Sequence, residues 1–166
     1  MIRAADINDA KRIAEIEVAS CKFAYKDILP EEILRNEFPV ENRIPVYERW
    51  LNEKRFELYV YEDDTGLITG MMGIGMCEDE DKKNAFELHF IYVDPDYLRR
   101  GTGYEMLKFF EEKGAARGVE EFVIWVLEGN DIGTNFYTKH GYAPDGKDKI
   151  FKRWNKREIR YTKGID

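Results

Sequence analysis

Phe56, Leu58 and Val60 alternate with Glu57, Tyr59 and Tyr61, the two-residue period of a strand with one buried face. Asp63-Asp64-Thr65-Gly66 supplies a turn before the run Leu67 to Cys77, so a hairpin is expected here. The acidic tract Glu78 to Asp81, with Lys82 and Lys83, reads as a solvated connection. A third strand, Ala85 to Val93, ends at Asp94-Pro95. The period then lengthens to that of a helix from about Gly103 to Arg117. A strand Glu121 to Leu127, a helix Asp131 to His140 and a terminal pair including Glu158 to Thr162 follow. Strands before, between and after helices, with no repeat or linker, predict an α/β fold: one mixed sheet in a single domain over residues 1–166.

Upstream, Ile2 to Ala5 is expected as a first strand. Asp6 or Asn8 can cap a helix carrying Ala10, Ile13, Ala14 and Ile16 on one face. Pro30-Glu31-Glu32 has the character of a helix first turn, and Asn42 to Asn52 places Ile44, Tyr47 and Leu51 at helical spacing after Pro39. These short helices would form a flap.

Composition narrows the function. With 43% hydrophobic and 14% aromatic residues in 166, the chain can bury a core without staples. No apolar run approaches the ~20 residues of a membrane span, and the N-terminus lacks a signal peptide's apolar stretch, so a cytoplasmic protein without membrane contact is expected. A formal net charge of −7 argues against nucleic-acid binding and is compatible with a cationic small substrate. Cys21 and Cys77 lack metal-ligand spacing and are expected to be reduced thiols without a catalytic role.

The changeover from strand to helix carries the chemistry. In Asp96-Tyr97-Leu98-Arg99-Arg100-Gly101-Thr102-Gly103-Tyr104, two glycines and two arginines stand where a helix begins. Unpaired main-chain N–H groups, the helix dipole and a nearby guanidinium together suit an anion such as phosphate. No Gly-Lys-Ser/Thr follows, and the longer Gly-x-Gly-x-x-Gly fingerprint is missing, so neither a P-loop nor a dinucleotide site is indicated. Taken alone, the two glycines could equally mark a structural turn.

The run Ile91-Tyr92-Val93-Asp94-Pro95 to Arg99-Arg100-Gly101-Thr102-Gly103 resembles motif A of the GNAT superfamily of acyl-CoA-dependent N-acetyltransferases. A second block, Trp125 to Asn130 followed by Phe136-Tyr137-Thr138-Lys139-His140-Gly141-Tyr142, resembles the later strand and helix of that family. Leu98 stands where the family often has Gln or Arg, and Gly133 where it commonly has Ala. The resemblance implies a mostly antiparallel sheet, flanked by helices, whose central strands splay to admit pantetheine. It implies acetyl-CoA as cosubstrate, held through Ile91, Tyr92, Val93, Arg99, Arg100, Gly101, Thr102, Gly103 and Tyr104. Asn130 and Tyr137, two helical turns apart, would face the same coenzyme.

An alkyl amine, with a pKa near ~10.4, must lose a proton before it attacks a thioester. At neutral pH that costs about 5 kcal/mol, which gives a positioned base its use. By resemblance Glu87 takes this role, fourteen residues before Gly101, and Tyr137 acts as general acid toward the leaving thiolate. Strict alternation places Glu87, His89 and Ile91 on one face of their strand, opposite Phe86, Leu88 and Phe90. His89 is a second candidate base and His140 is read as structural. Direct attack needs no reactive cysteine. The acceptor is expected to be a small-molecule or peptide amine, selected by the flap from about Cys21 to Asn52, where Phe23, Tyr25 and Tyr47 could line its pocket. The alternative is a catalytically inactive CoA-binding regulatory module. A homodimer is compatible with the sequence.

Overall fold

The computed structural model describes residues 1–165. Strands β1 (Ile2–Ala4), β2 (Glu57–Glu62), β3 (Ile68–Met76), β4 (Ala85–Val93), β5 (Glu121–Leu127), β6 (Ala143–Phe151) and β7 (Lys156–Gly164) form one sheet in the order β1-β2-β3-β4-β5-β7-β6. Every described pairing is antiparallel except β4 with β5. Helices α1 (Ala10–Tyr25), α2 (Glu31–Asn36), α3 (Val40–Glu53), α4 (Thr102–Ala116) and α5 (Asp131–Lys139) cover the two faces.

The expected hairpin is β2–β3, and the N-terminal cap is Asp6. Its carboxylate accepts from the Asn8 N–H, while Asp9 returns a bond from the Asp6 N–H, so a 3-10 turn, Ile7–Asp9, precedes α1. Helix α1 buries Ala10, Ile13, Ala14 and Ile16 against Leu58, Val60 and Met71 of β2 and β3. On the opposite face α4 presents Met106, Leu107 and Phe110 to Phe86, Leu88, Phe122 and Ile124.

Two expectations need correcting. Alternation along β4 is broken at His89. Gly73 pairs with Phe90 and Ile74 with Leu88, so His89 is an extra residue, a β-bulge. Phe86 and Leu88 pack toward α4, and after the bulge so does Ile91, whereas Phe90 and Tyr92 turn toward α1 and α3. Glu87 and His89 therefore share a face with Phe90 and not with Ile91.

The acidic tract is also more than a solvated connection. Arg160 of β7 is only 2% exposed and holds Asp81 through two bonds of 2.7 and 2.6 Å, Asp79 at 3.0 Å and Asp145 at 2.8 Å. Asp145 reaches it from a bulge in β6, where the register jumps from Pro144↔Tyr161 to Asp148↔Ile159. A buried guanidinium has five donors to satisfy, and the tract supplies two of the three carboxylates that do so.

Candidate active site

The parallel pairing of β4 with β5 determines where the sheet opens. β4 and β5 pair only from Ala85↔Glu121 to Leu88↔Ile124, although β4 runs on to Val93 and β5 to Leu127. The bulge at His89 lies at the point where they part. A cavity of about 1870 Å³ fills the gap and is lined from both faces of the sheet, by Gly103, Phe136 and Tyr137 on the α4 side and Glu87, His89 and Phe56 on the other. That volume exceeds the usual range for one drug-sized ligand and suits two substrates meeting.

The Asp94 N–H bonds the Thr69 carbonyl of β3. Strand alternation then directs the main-chain groups of Ile91 and Val93 away from β3, toward the gap. The Val93 carbonyl accepts from the Ser20 hydroxyl at 2.9 Å. Tyr92, in the opposite phase, pairs with Met71, and its ring stacks 5.9 Å from Phe90 on the α1 side.

At the start of α4, Gly101 has φ +90° and no side chain caps the helix. The N–H groups of Thr102, Gly103 and Tyr104 therefore lack intrahelical partners and point at the cavity end. Arg99 adopts φ +62°, a left-handed conformation costly for arginine, and lines the cavity. Arg100 turns aside, its guanidinium 4.8 Å from the Tyr97 ring and bonded to the Asp96 carbonyl. Conformational freedom is needed at Gly101. A Cβ at Gly103 would meet Phe136 at 3.6 Å and Val93 at 3.8 Å, ordinary contacts.

Asn130 caps α5, its side-chain oxygen accepting from the Gly133 N–H at 3.0 Å. A methyl group at Gly133 would come within 2.7 Å of the Asn130 amide nitrogen, so glycine there keeps that amide in place beside the cavity. Tyr137 is buried, and its phenol has no hydrogen-bond partner among the described residues. Burial pushes its pKa up, which keeps the proton on the oxygen at neutral pH. His140 stacks on Tyr104 and meets Phe136 edge-on, both at 4.9 Å, at the rim of the same end.

Across the gap, His89 Nδ1 lies 3.1 Å from Glu87 Oε1, and the imidazole packs 4.6 Å from Phe56. Trp50, Phe56 and Phe90 form an aromatic wall beside this pair. Burial pushes the Cys77 thiol up to about 12, and Cys21 rises too, so neither offers a thiolate.

The acetyltransferase (GNAT) family profile matches residues 23–142. This chain belongs to the GNAT acetyltransferase family. Membership makes it an acyl-CoA-dependent N-acetyltransferase by class. It is 26% identical over 144 residues to YuaI, an uncharacterised N-acetyltransferase of Bacillus subtilis, covering 87% of this chain and 79% of that one. It is also 26% identical over 161 residues to spermidine N(1)-acetyltransferase of Thermoplasma acidophilum, covering 92% and 95%. Among solved structures, the PaiA N-acetyltransferase of Thermoplasma acidophilum, in complex with coenzyme A, superposes with a TM-score of 0.76 at 21% identity, over 99% of this chain and 98% of that one. Among the described residues no helix is long and apolar enough to cross a membrane.

Sequence reasoning missed the far wall of the cavity. Trp125, Lys149, Phe151, Trp154 and Glu158 line it, from β5 and the β6–β7 hairpin. Of the aromatics expected at the acceptor, Phe23, Tyr25 and Tyr47 all line the cavity, but Tyr47 is 1% exposed and packs edge-on against Trp50.

Proposed function

We propose that this protein transfers the acetyl group of acetyl-CoA directly to the primary amine of a small cationic molecule. The observation that carries the reading is the unpaired stretch between β4 and β5. It joins an uncapped helix N-terminus on one side of the sheet to a carboxylate–imidazole pair on the other. The relationship to a spermidine acetyltransferase supports a small amine over a peptide.

In this reading the pyrophosphate is held by the N–H groups of Thr102, Gly103 and Tyr104, with charge from Arg99, and Gly101 sets the turn. Pantetheine runs along the main chain of Ile91 and Val93, with Asn130 alongside. Glu87, held by His89, takes a proton from the acceptor ammonium. The freed nitrogen lone pair forms a C–N bond to the thioester carbonyl carbon, the C–S bond breaks, and the departing sulfur takes the Tyr137 proton; the nitrogen then gives up its remaining surplus proton through solvent, which restores the Tyr137 phenol and leaves the neutral amide. Glu87 and Tyr137 stand on opposite sides of the gap, as separate acid and base roles require.

The test is thiol release from acetyl-CoA across a panel of amines, with mass spectrometry of the product. Coenzyme binding without thiol release for any amine would leave a coenzyme-binding module instead.

A further inference from the structure

Five carboxylates line the cavity, and all but one are accounted for. Glu17 forms a buried pair with Arg43, Asp79 accepts from Arg160 and from the Trp125 indole, Glu87 has His89, and Glu78 is exposed to water. Glu158 is half-buried and has no hydrogen-bond or ion-pair partner among the described residues. Lys149 faces it in register across β6–β7, yet the Lys149 ammonium sits 3.9 Å from the centre of the Trp125 ring. The surroundings are aromatic. Trp154 packs against Tyr25, Phe38 and Phe151, and its buried indole N–H is also without a partner. A carboxylate taken from water without a donor or counter-charge is costly, and a ligand cation would offset that cost.

Register relates Glu158 to the proposed reaction centre. Glu87 pairs with Val123 of β5 and Glu158 with Leu127 of the same strand, so both side chains stand on one face of the sheet. They are separated by roughly 13 Å along β5 and roughly 10 Å across two strand spacings. Two glutamate side chains shorten that distance to the reach of a flexible aliphatic chain. Burial raises the Glu158 pKa, Lys149 opposes the rise, and the negative charge of Glu87 adds to it.

Resting on the acetyl-transfer reading above, we infer that Glu158 receives a second, non-reacting ammonium of the acceptor and so selects aliphatic diamines and polyamines over monoamines. Its role is specificity, and Glu87 remains the group at the reacting nitrogen.

The experiment compares kcat/KM for 1,4-diaminobutane and spermidine with that for butylamine, in the full chain and in Glu158→Gln and Glu158→Asp. Wild type should prefer the diamines. Glu158→Gln should reduce the diamine-to-monoamine ratio about 10- to 100-fold, as expected for one charge-assisted bond, with the loss in KM and not in kcat. Glu158→Asp should keep part of the preference. Equal activity of wild type on mono- and diamines, or equal losses for both in Glu158→Gln, overturns the inference and leaves acetyl transfer standing. Should no amine release thiol, the acetyl-transfer reading fails, and calorimetric titration with spermidine still decides this one. Weaker binding to Glu158→Gln supports the subsite, and unchanged or absent binding overturns it.

Discussion

At the α4 end the cavity is made of main chain, namely the N–H groups of Thr102, Gly103 and Tyr104 and the gap-facing strand groups of Ile91 and Val93. At the proposed acceptor end it is made of side chains, Glu87, His89, Phe56, Trp125, Trp154 and Glu158, drawn from three strands and two connecting segments. Main chain recognises a ligand whose shape does not change and tolerates many side chains around it. Side chains allow the second ligand to be chosen. The difference predicts that substitutions at the two ends fail in different ways.

The largest effect is expected at Glu87→Gln, which removes the proposed base and keeps the shape. Turnover should fall about 10²- to 10⁴-fold, most steeply at low pH where free amine is scarcest, with acetyl-CoA affinity retained. A pH–rate profile matching wild type would move the role elsewhere. Tyr137→Phe comes next, at about 10²-fold in single-turnover rate with both substrates saturating. Because burial holds this phenol above its ordinary value, the wild-type rate should show no loss from tyrosine ionisation as pH rises through ~10.

Arg160→Met tests the acceptor wall by its scaffold. Three aspartates would be left facing one another, and stability should drop by about 2–3 kcal/mol, less than for a fully enclosed pair because Asp81 is largely open to water. Urea unfolding measures it, and an unchanged midpoint would show the clamp to be dispensable. A smaller effect is expected at Gly101→Ala, where the left-handed backbone costs about 1–2 kcal/mol. If the turn holds the pyrophosphate, calorimetry should show acetyl-CoA binding weakened alongside the stability loss. Gly103→Ala has room for its methyl group and should be milder in both.

The same division explains what could be read from the sequence. Local signals carried the α1 stripe, the β2–β3 turn at Asp63–Gly66, the Asp6 cap and the Gly101 turn, because each is decided within a few residues. The acceptor wall depends on partners far apart in the chain. Arg160 is 81 residues from Asp79 and gives no sign in sequence that it will gather the acidic tract. Glu158 has nothing to distinguish it from any alternating strand residue until β7 is placed beside β5. His89 carried no bulge signature, being neither glycine nor next to one, so strict alternation was the natural expectation and put Ile91 on the wrong face.

That extra residue makes the count between Leu88 and Phe90 part of the chemistry. A surface loop absorbs an extra residue by changing its path, whereas β4 absorbs this one by setting two successive side chains, His89 and Phe90, on the same face. Were the same residues to run through this point in unbroken alternation, without the bulge and with Phe90 onward fixed against β3, the stretch Ala85–Leu88 would turn over. Phe86 and Leu88 would leave the α4 core for the cavity side, and Glu87 would enter that core. The bulge at this point is as specific a determinant of the site as any side chain in it.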